Sequence, residues 1–136
     1  MNLPVPPGRV TPDNAEFHDG LGEGRLLLPR CDSCATVIWY PRHHCPACGS
    51  NEVSWFQASG RGTVYSFTIV RRGPPPFDGS GPYVLAYVEL EEGPRVLTNI
   101  LADPAEVQMD ARVEAVIDRA EDAPPLLRFR LSGRGR

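Results

Sequence analysis

Alternation of apolar and polar positions governs the chain from Gly60 onward. In residues 62–71, Tyr65, Phe67 and Ile69 fall on one face and Val64, Ser66, Thr68 and Val70 on the other, the period-two pattern of a strand. Residues 83–91 repeat it, with Tyr83, Leu85 and Tyr87 against Val84, Ala86, Val88 and Leu90. Residues 95–101, 112–117 and 126–131 predict three more strands. Residues 103–108 predict a helical turn, with Asp103 ahead of Pro104 as its cap. Glu92-Gly93-Pro94 and Glu121-Asp122-Ala123-Pro124 are turn signals between strands.

Five short strands with a helical piece after the third predict the five-stranded, partly open barrel of an OB fold. The N-terminal part follows a different rhythm. Residues 1–12 are Pro-rich and predict an extended arm. From Asn14 to Gly24 a short helix is expected, capped by Thr11 or Asp13, with Gly20 and Gly22 weakening it and Gly24 stopping it. Phe17 and Leu21, four apart, share one helical face and need a partner, either their own domain or another subunit. Residues 25–29, 36–40 and 52–57 read as strands from their β-branched, aromatic and leucine content. The predicted class is mainly β, with an arm and helix over 1–29, a ribbon over 30–57 and a barrel over 58–136.

Four cysteines sit in that middle segment: Cys31-Asp-Ser-Cys34, ten residues, then Cys45-Pro-Ala-Cys48. Paired CxxC turns aim two sulfurs each at one point and together complete a tetrahedron, the form of a structural zinc ribbon. Pro46 and Gly49 suit the turn, the glycine where a left-handed residue is needed. Two disulfides in a secreted domain are the weaker alternative, because the N-terminal residues do not resemble a signal peptide. A redox role for two CxxC pairs at this spacing is also weaker. His43 and His44 precede Cys45, but a closed four-cysteine site needs neither.

The ribbon is too small to bury a core, so metal must supply much of its folding energy. The 136-residue chain carries 14 basic and 17 acidic residues, and every basic residue is Arg. Nucleic-acid binding needs phosphate neutralisation, so an acidic chain without a basic run is a poor fit for it. No apolar run approaches the ~18 residues of a membrane span. These features lead to the expectation of a cytoplasmic protein without nucleic-acid or membrane partners.

Residues 72–82 read Arg-Gly-Pro-Pro-Pro-Phe-Asp-Gly-Ser-Gly-Pro, too long for a tight hairpin and too rich in Pro and Gly for an element. Phe77 at its centre is costly to leave in water and is expected to pack onto something, its own barrel or a partner.

The order of these features resembles a known family. A short helix with an aromatic, EGRLLLPRCDSC, YPRHHCPACGS, SGRGTVYSFTIV, the Pro-rich loop with Phe77, and PYVLAYVELEEGPRVLTNI together resemble the zinc-ribbon plus OB-fold family called DUF35, from about Asn14 to Ile117. Two positions depart from that pattern. Ala35 follows the first knuckle, and Met109-Asp110 precedes the fourth barrel strand, where a glycine is usual.

The resemblance implies a structural zinc ion on Cys31, Cys34, Cys45 and Cys48. It also implies a non-catalytic accessory subunit of a thiolase-superfamily enzyme (thiolase, acyltransferase or retro-aldolase) acting on acyl-CoA thioesters, a scaffold or substrate channel. Relatives serve steroid side-chain degradation, and some are fused to a hot-dog-fold enoyl-CoA hydratase. The chain's chemistry agrees: the zinc site consumes every thiol. Phe17, Leu21, Trp39, Tyr40 and Phe77 are candidates for the partner interface. A stand-alone acyl-CoA-binding module is the alternative, with Arg61, Arg71, Arg72 and Arg95 as candidate phosphate forks. Single-strand nucleic-acid binding through Tyr65, Phe67, Tyr83 and Tyr87 is the least supported reading.

Overall fold

The computed structural model describes residues 3–5, 10–120 and 123–132. Helix α1 (Ala15–Gly22) leads into a two-stranded hairpin, β1 (Leu27–Cys31) and β2 (Val53–Gln57). Strands β3 (Arg61–Val70), β4 (Tyr83–Leu90), β5 (Arg95–Ile100), β6 (Arg112–Ala120) and β7 (Ala123–Leu131) follow. The five form a closed barrel in the order β3-β4-β5-β7-β6, with β6 returning to β3. The mainly β class and the five-stranded OB barrel are as the alternation predicts. Half of the Pro-rich arm, residues 1, 2 and 6–9, and Glu121-Asp122 of the expected turn lie outside the described residues.

Val84, Ala86, Val88 and Leu90 all face inward on β4, as their period requires. On β3 a bulge between Val64 and Ser66 interrupts the alternation. Tyr65 therefore points outward, while Phe67, opposite the buried Ala86, packs on the core. The single face expected for Tyr65, Phe67 and Ile69 is broken at this extra residue. Pro104–Glu106 form the 3₁₀ turn expected after β5, and the Asp103 carboxylate accepts from the Ala105 N–H at 3.0 Å.

The helix is capped differently from the prediction. Asn14 is the N-cap; its Oδ1 accepts from the Thr11 N–H at 2.7 Å and its amide donates to the Tyr40 hydroxyl at 2.9 Å. Gly24, at φ +84, ends the helix, and Arg119 from β6 donates to the last carbonyls, of Leu21 and Gly22. Gly20 has a packing reason: a Cβ there would meet Leu27 Cγ at 2.7 Å, so only glycine lets α1 cross β1 this closely. Phe17 and Leu21, 4% and 0% exposed, lie in one apolar cluster with Leu26, Leu28 and the barrel residues Val64, Val84 and Phe129. The helix face is thus spent on the chain's own core. The same cluster, joined by Trp39, Trp55 and Phe56, crosses the boundary expected at residue 57.

Residues 36–40 do not form the expected strand; a single bridge, Val37 to Arg30, stands in its place. This short stretch must turn between the knuckle and Pro41, which leaves no room for a longer ladder. Ala35 and Asp110, the two departures from the family pattern, are both left-handed, at φ +66. A Cβ in that region costs ~1–2 kcal/mol for ordinary residues and less for Asp. Ala35→Gly is therefore expected to stabilise the protein by about 0.5–1 kcal/mol, net of glycine's greater chain entropy, and Asp110→Gly by less. Urea denaturation of the metal-loaded protein checks this, and a midpoint lowered by Ala35→Gly would contradict it.

Candidate metal centre and ligand-facing surfaces

The two knuckles are built by the same hydrogen bonds. The Cys31 N–H donates to Thr36 O and the Ala35 N–H to Cys31 O; the Cys45 N–H donates to Ser50 O and the Gly49 N–H to Cys45 O. Ala35 and Gly49 are the equivalent left-handed residues. Backbone N–H groups of Ser33 and Cys34 point at Cys31 Sγ, and that of Ala47 at Cys45 Sγ, all at 3.3–3.4 Å. Such donors stabilise thiolate sulfur.

All four sulfurs lie within 4.8 Å of one another. Cys31 and Cys48 Sγ are 3.5 Å apart, and Cys34 and Cys45 Sγ 3.6 Å. A tetrahedron of sulfurs ~2.3 Å from a metal has edges of about 3.8 Å, so the arrangement fits one ion with no coordination position left over. Cys31 and Cys45 are buried beside Ile38, with Val53 against them, while Cys34 and Cys48 face outward.

The thiols titrate unequally. The Thr36 hydroxyl and N–H hold Cys34 down to about 6. The Cys34 N–H holds Cys31 below the ordinary thiol range. At Cys48 the Ser50 N–H pulls downward, but the neighbouring sulfur of Cys31, burial, and the sulfurs of Cys34 and Cys45 push it up to about 12. The crowd of neighbouring sulfurs makes Cys48 hold its proton until a cation takes its place.

His43 Nε2 lies 3.0 Å from Glu16 Oε1, tying the second knuckle to α1. His18 is held below the usual imidazole range by burial, against a raising contribution from the Pro125 backbone, and its Nδ1 is buried with no hydrogen-bond partner among the described residues. The unfolded chain therefore binds this proton first, and the stability it contributes falls as pH drops below about 6.5. His18→Leu is expected to flatten that part of the pH profile in metal-saturated urea titrations at pH 5.5 and 7.5. An unchanged slope would remove His18 from it.

The four candidate arginines do not form one site. Arg61 donates to both Glu91 carboxylate oxygens, at 2.9 and 3.1 Å. Arg95 stacks over Tyr65, 3.8 Å from the ring centre, near Glu89. Both lie at the β4–β5 hairpin end. Arg71 and Arg72 lie at the opposite end of β3, which over ten residues spans about 30 Å. They are exposed and, among the described residues, have no ion pair or hydrogen bond. Beside them a cleft of about 690 Å³ is lined by Ile69, Arg71, Pro82, Asp103, Pro104 and Ala105.

Among the candidate interface aromatics, Tyr40 is 42% exposed, whereas Trp39 packs edge-on against it and Phe17. Phe77, in a 3₁₀ turn (Phe77–Gly79), stacks on Tyr83 at 4.9 Å, which folds the Pro-rich loop back on the barrel. Gly73 makes room for it, since a Cβ there would meet the Tyr83 hydroxyl at 2.6 Å. Tyr65, Phe67, Tyr83 and Tyr87 do not make one stacking row: Phe67 is on the core and Tyr83 under Phe77.

One cluster escaped the sequence reading. The outward-facing Arg128 on β7 is 1% exposed. Its guanidinium donates to Asn99 Oδ1 at 3.2 Å, Asp118 Oδ2 at 2.6 Å, Leu3 O at 3.1 Å and Pro4 O at 2.6 Å. An arginine alternating with apolar residues on a final strand reads as solvated. Only the arm, far away in sequence, buries it.

Fold and site together define a rubredoxin-like ribbon joined to an OB barrel. Residues 18–54 match the family profile described as "ChsH2, rubredoxin-like zinc ribbon domain", and residues 55–118 match "ChsH2, C-terminal OB-fold domain". The chain belongs to the DUF35 family. It is 38% identical over 71% of its length to a DUF35 domain-containing scaffold protein of Methanocaldococcus jannaschii, covering 70% of that protein. It is 44% identical over 76% of its length to the 3-oxo-4,17-pregnadiene-20-carboxyl-CoA hydratase alpha subunit of Mycobacterium tuberculosis, of which it spans 33%. A chain of the solved "Ltp2-ChsH2(DUF35) aldolase" superposes with a TM-score of 0.79 at 33% identity, covering 91% of this chain and 98% of that one. Among the described residues no helix is long and apolar enough to cross a membrane.

Proposed function

We propose that this protein is a non-catalytic scaffold subunit of a thiolase-superfamily enzyme acting on acyl-CoA thioesters, with zinc as the metal of its four-thiolate site. The observation that carries this reading is the near end-to-end likeness to the DUF35 chain of an aldolase complex. A benzoylsuccinyl-CoA thiolase subunit of Thauera aromatica, 28% identical over 82% of the chain, supports the same class of partner. Four sulfurs without a free position suit zinc, whose role here is to hold the knuckles together. Affinity purification from the native host tests the reading. A stoichiometric thiolase-like or hydratase chain is expected, with elemental analysis returning zinc. A chain that elutes alone while the partner is expressed would overturn the subunit role, and a chromophoric iron site would overturn zinc.

Direct contact with the acyl-CoA is a second reading, favoured by Arg71 and Arg72. Unlike Arg61 and Arg95 they pair with no carboxylate among the described residues, and Arg71 lines a cleft walled also by Ile69, Pro82, Asp103, Pro104 and Ala105. Phosphates at the guanidinium end and a thioester chain along the cleft match that chemistry. Arg71→Ala/Arg72→Ala is expected to raise the acyl-CoA KM of the complex about tenfold with kcat retained, a loss of uniform binding. An unchanged KM would leave the scaffold role alone. Of the five candidate interface residues Tyr40 is the exposed one, and so the one free to meet a partner.

A further inference from the structure

The closure of the barrel has an unusual seam. Parallel strands β5 and β7 pair through one residue pair, Ile100 and Phe129. Side chains complete it: Thr98 Oγ1 donates to Leu127 O at 3.2 Å, and Arg128 Nε to Asn99 Oδ1. Asn99, Arg128 and Asp118 come from β5, β7 and β6, neighbours in the barrel, and project from its outer wall. Arg130, two residues along β7 on the same face, remains exposed. Arg128 differs because residues 3–5 lie over it. The arm meets the guanidinium with two main-chain carbonyls, and the Leu3 side chain is 7% exposed.

This is how a peptide site is built. A buried, charge-balanced guanidinium offers parallel N–H donors to successive backbone carbonyls, which any sequence supplies. Burial of the Leu3 side chain then adds apolar selection at one position. The described residues 3–5 belong to no helix or strand. We propose that the outer wall at the β5–β7 seam is a binding site for an extended, uncharged peptide segment carrying one large aliphatic residue. Residues 3–5 are its resident occupant. A segment so short binds weakly, but tethering gives it an effective concentration in the ~mM range, enough to keep it seated. A segment of another chain with the same chemistry exchanges with it. The proposal is independent of the scaffold reading and stands or falls on the isolated chain.

The test uses the full chain with Leu3→Asp, which releases the strap without touching the wall. Side-chain N–H exchange at Arg128 is expected to quicken at least tenfold, while the amides of β4 stay protected. A synthetic peptide of residues 1–10, at millimolar concentration, is expected to restore that protection and shift the Asn99 and Arg128 resonances. The same peptide with Leu3→Asp is expected to do neither. Loss of β4 protection in Leu3→Asp, or in the milder Leu3→Ala, would overturn the proposal by showing the arm to be a part of the core. So would a folded variant that the wild-type peptide leaves unshifted.

Discussion

Cys45→Ser is expected to release the metal and unfold the distal half of the ribbon while the barrel stays folded. Cys45 is fully buried, and its sulfur closes the tetrahedron opposite Cys34. Zinc held by four thiolates contributes apparent binding energies of ~10–16 kcal/mol in small ribbons, so losing one ligand removes much of what folds this end. Among the described residues the distal core is Cys31, Ile38, Cys45 and Val53, too little apolar surface to hold a fold alone. The proximal half differs, because Leu26, Leu28, Trp55 and Phe56 pack in the barrel's own cluster. Hydrogen exchange should therefore show lost protection around residues 31–53 and retained protection in β3–β5, and metal content should fall well below one equivalent. Full zinc retention with unchanged thermal stability would sink the structural-metal reading. Acid should act in the same direction, since protons compete with the metal for thiolates.

Several features of this fold are readable from residue order because they are set locally. Period-two runs mark β4 inner and outer faces correctly, since nothing interrupts them. The CxxC pairs mark the metal site because two short turns suffice to converge the sulfurs. Asp103 before Pro104 marks its own turn. What is not readable depends on distant chain. The bulge that turns Tyr65 outward coincides with the left-handed Asp110, whose N–H donates to Val64 O at 2.8 Å. Asn14 displaces the expected caps because Tyr40 is there to accept its amide. The arginines split into paired and unpaired sets according to which carboxylates the barrel register places opposite them. Arg128 is the extreme case, a residue whose burial is decided by an arm that carries no pattern.

Arg128→Ala is expected to lower stability by about 3–5 kcal/mol, the range for breaking a buried charged group out of its network. The substitution strands acceptors on three elements at once: the Asp118 carboxylate, the Asn99 amide oxygen, and the carbonyls of Leu3 and Pro4. The Asp118 side chain is 27% exposed and recovers some hydration, so the lower end of the range applies if water enters the seam. Arg128→Lys should fall between, because an ammonium cannot meet four acceptors arranged around a planar fork. Arg130→Ala provides the control. It breaks a cross-strand ion pair with Glu114 of β6 at 3.0 Å, but that pair is solvent-exposed and should contribute less than ~1 kcal/mol. Urea denaturation of the three variants separates the cases. Equal losses for Arg128→Ala and Arg130→Ala would mean that the seam closes on backbone pairing alone. A large loss for Arg128→Ala beside intact β4 protection in Leu3→Asp would place the energy in the Asn99 and Asp118 contacts, leaving the strap free to exchange over a wall that the guanidinium itself holds shut.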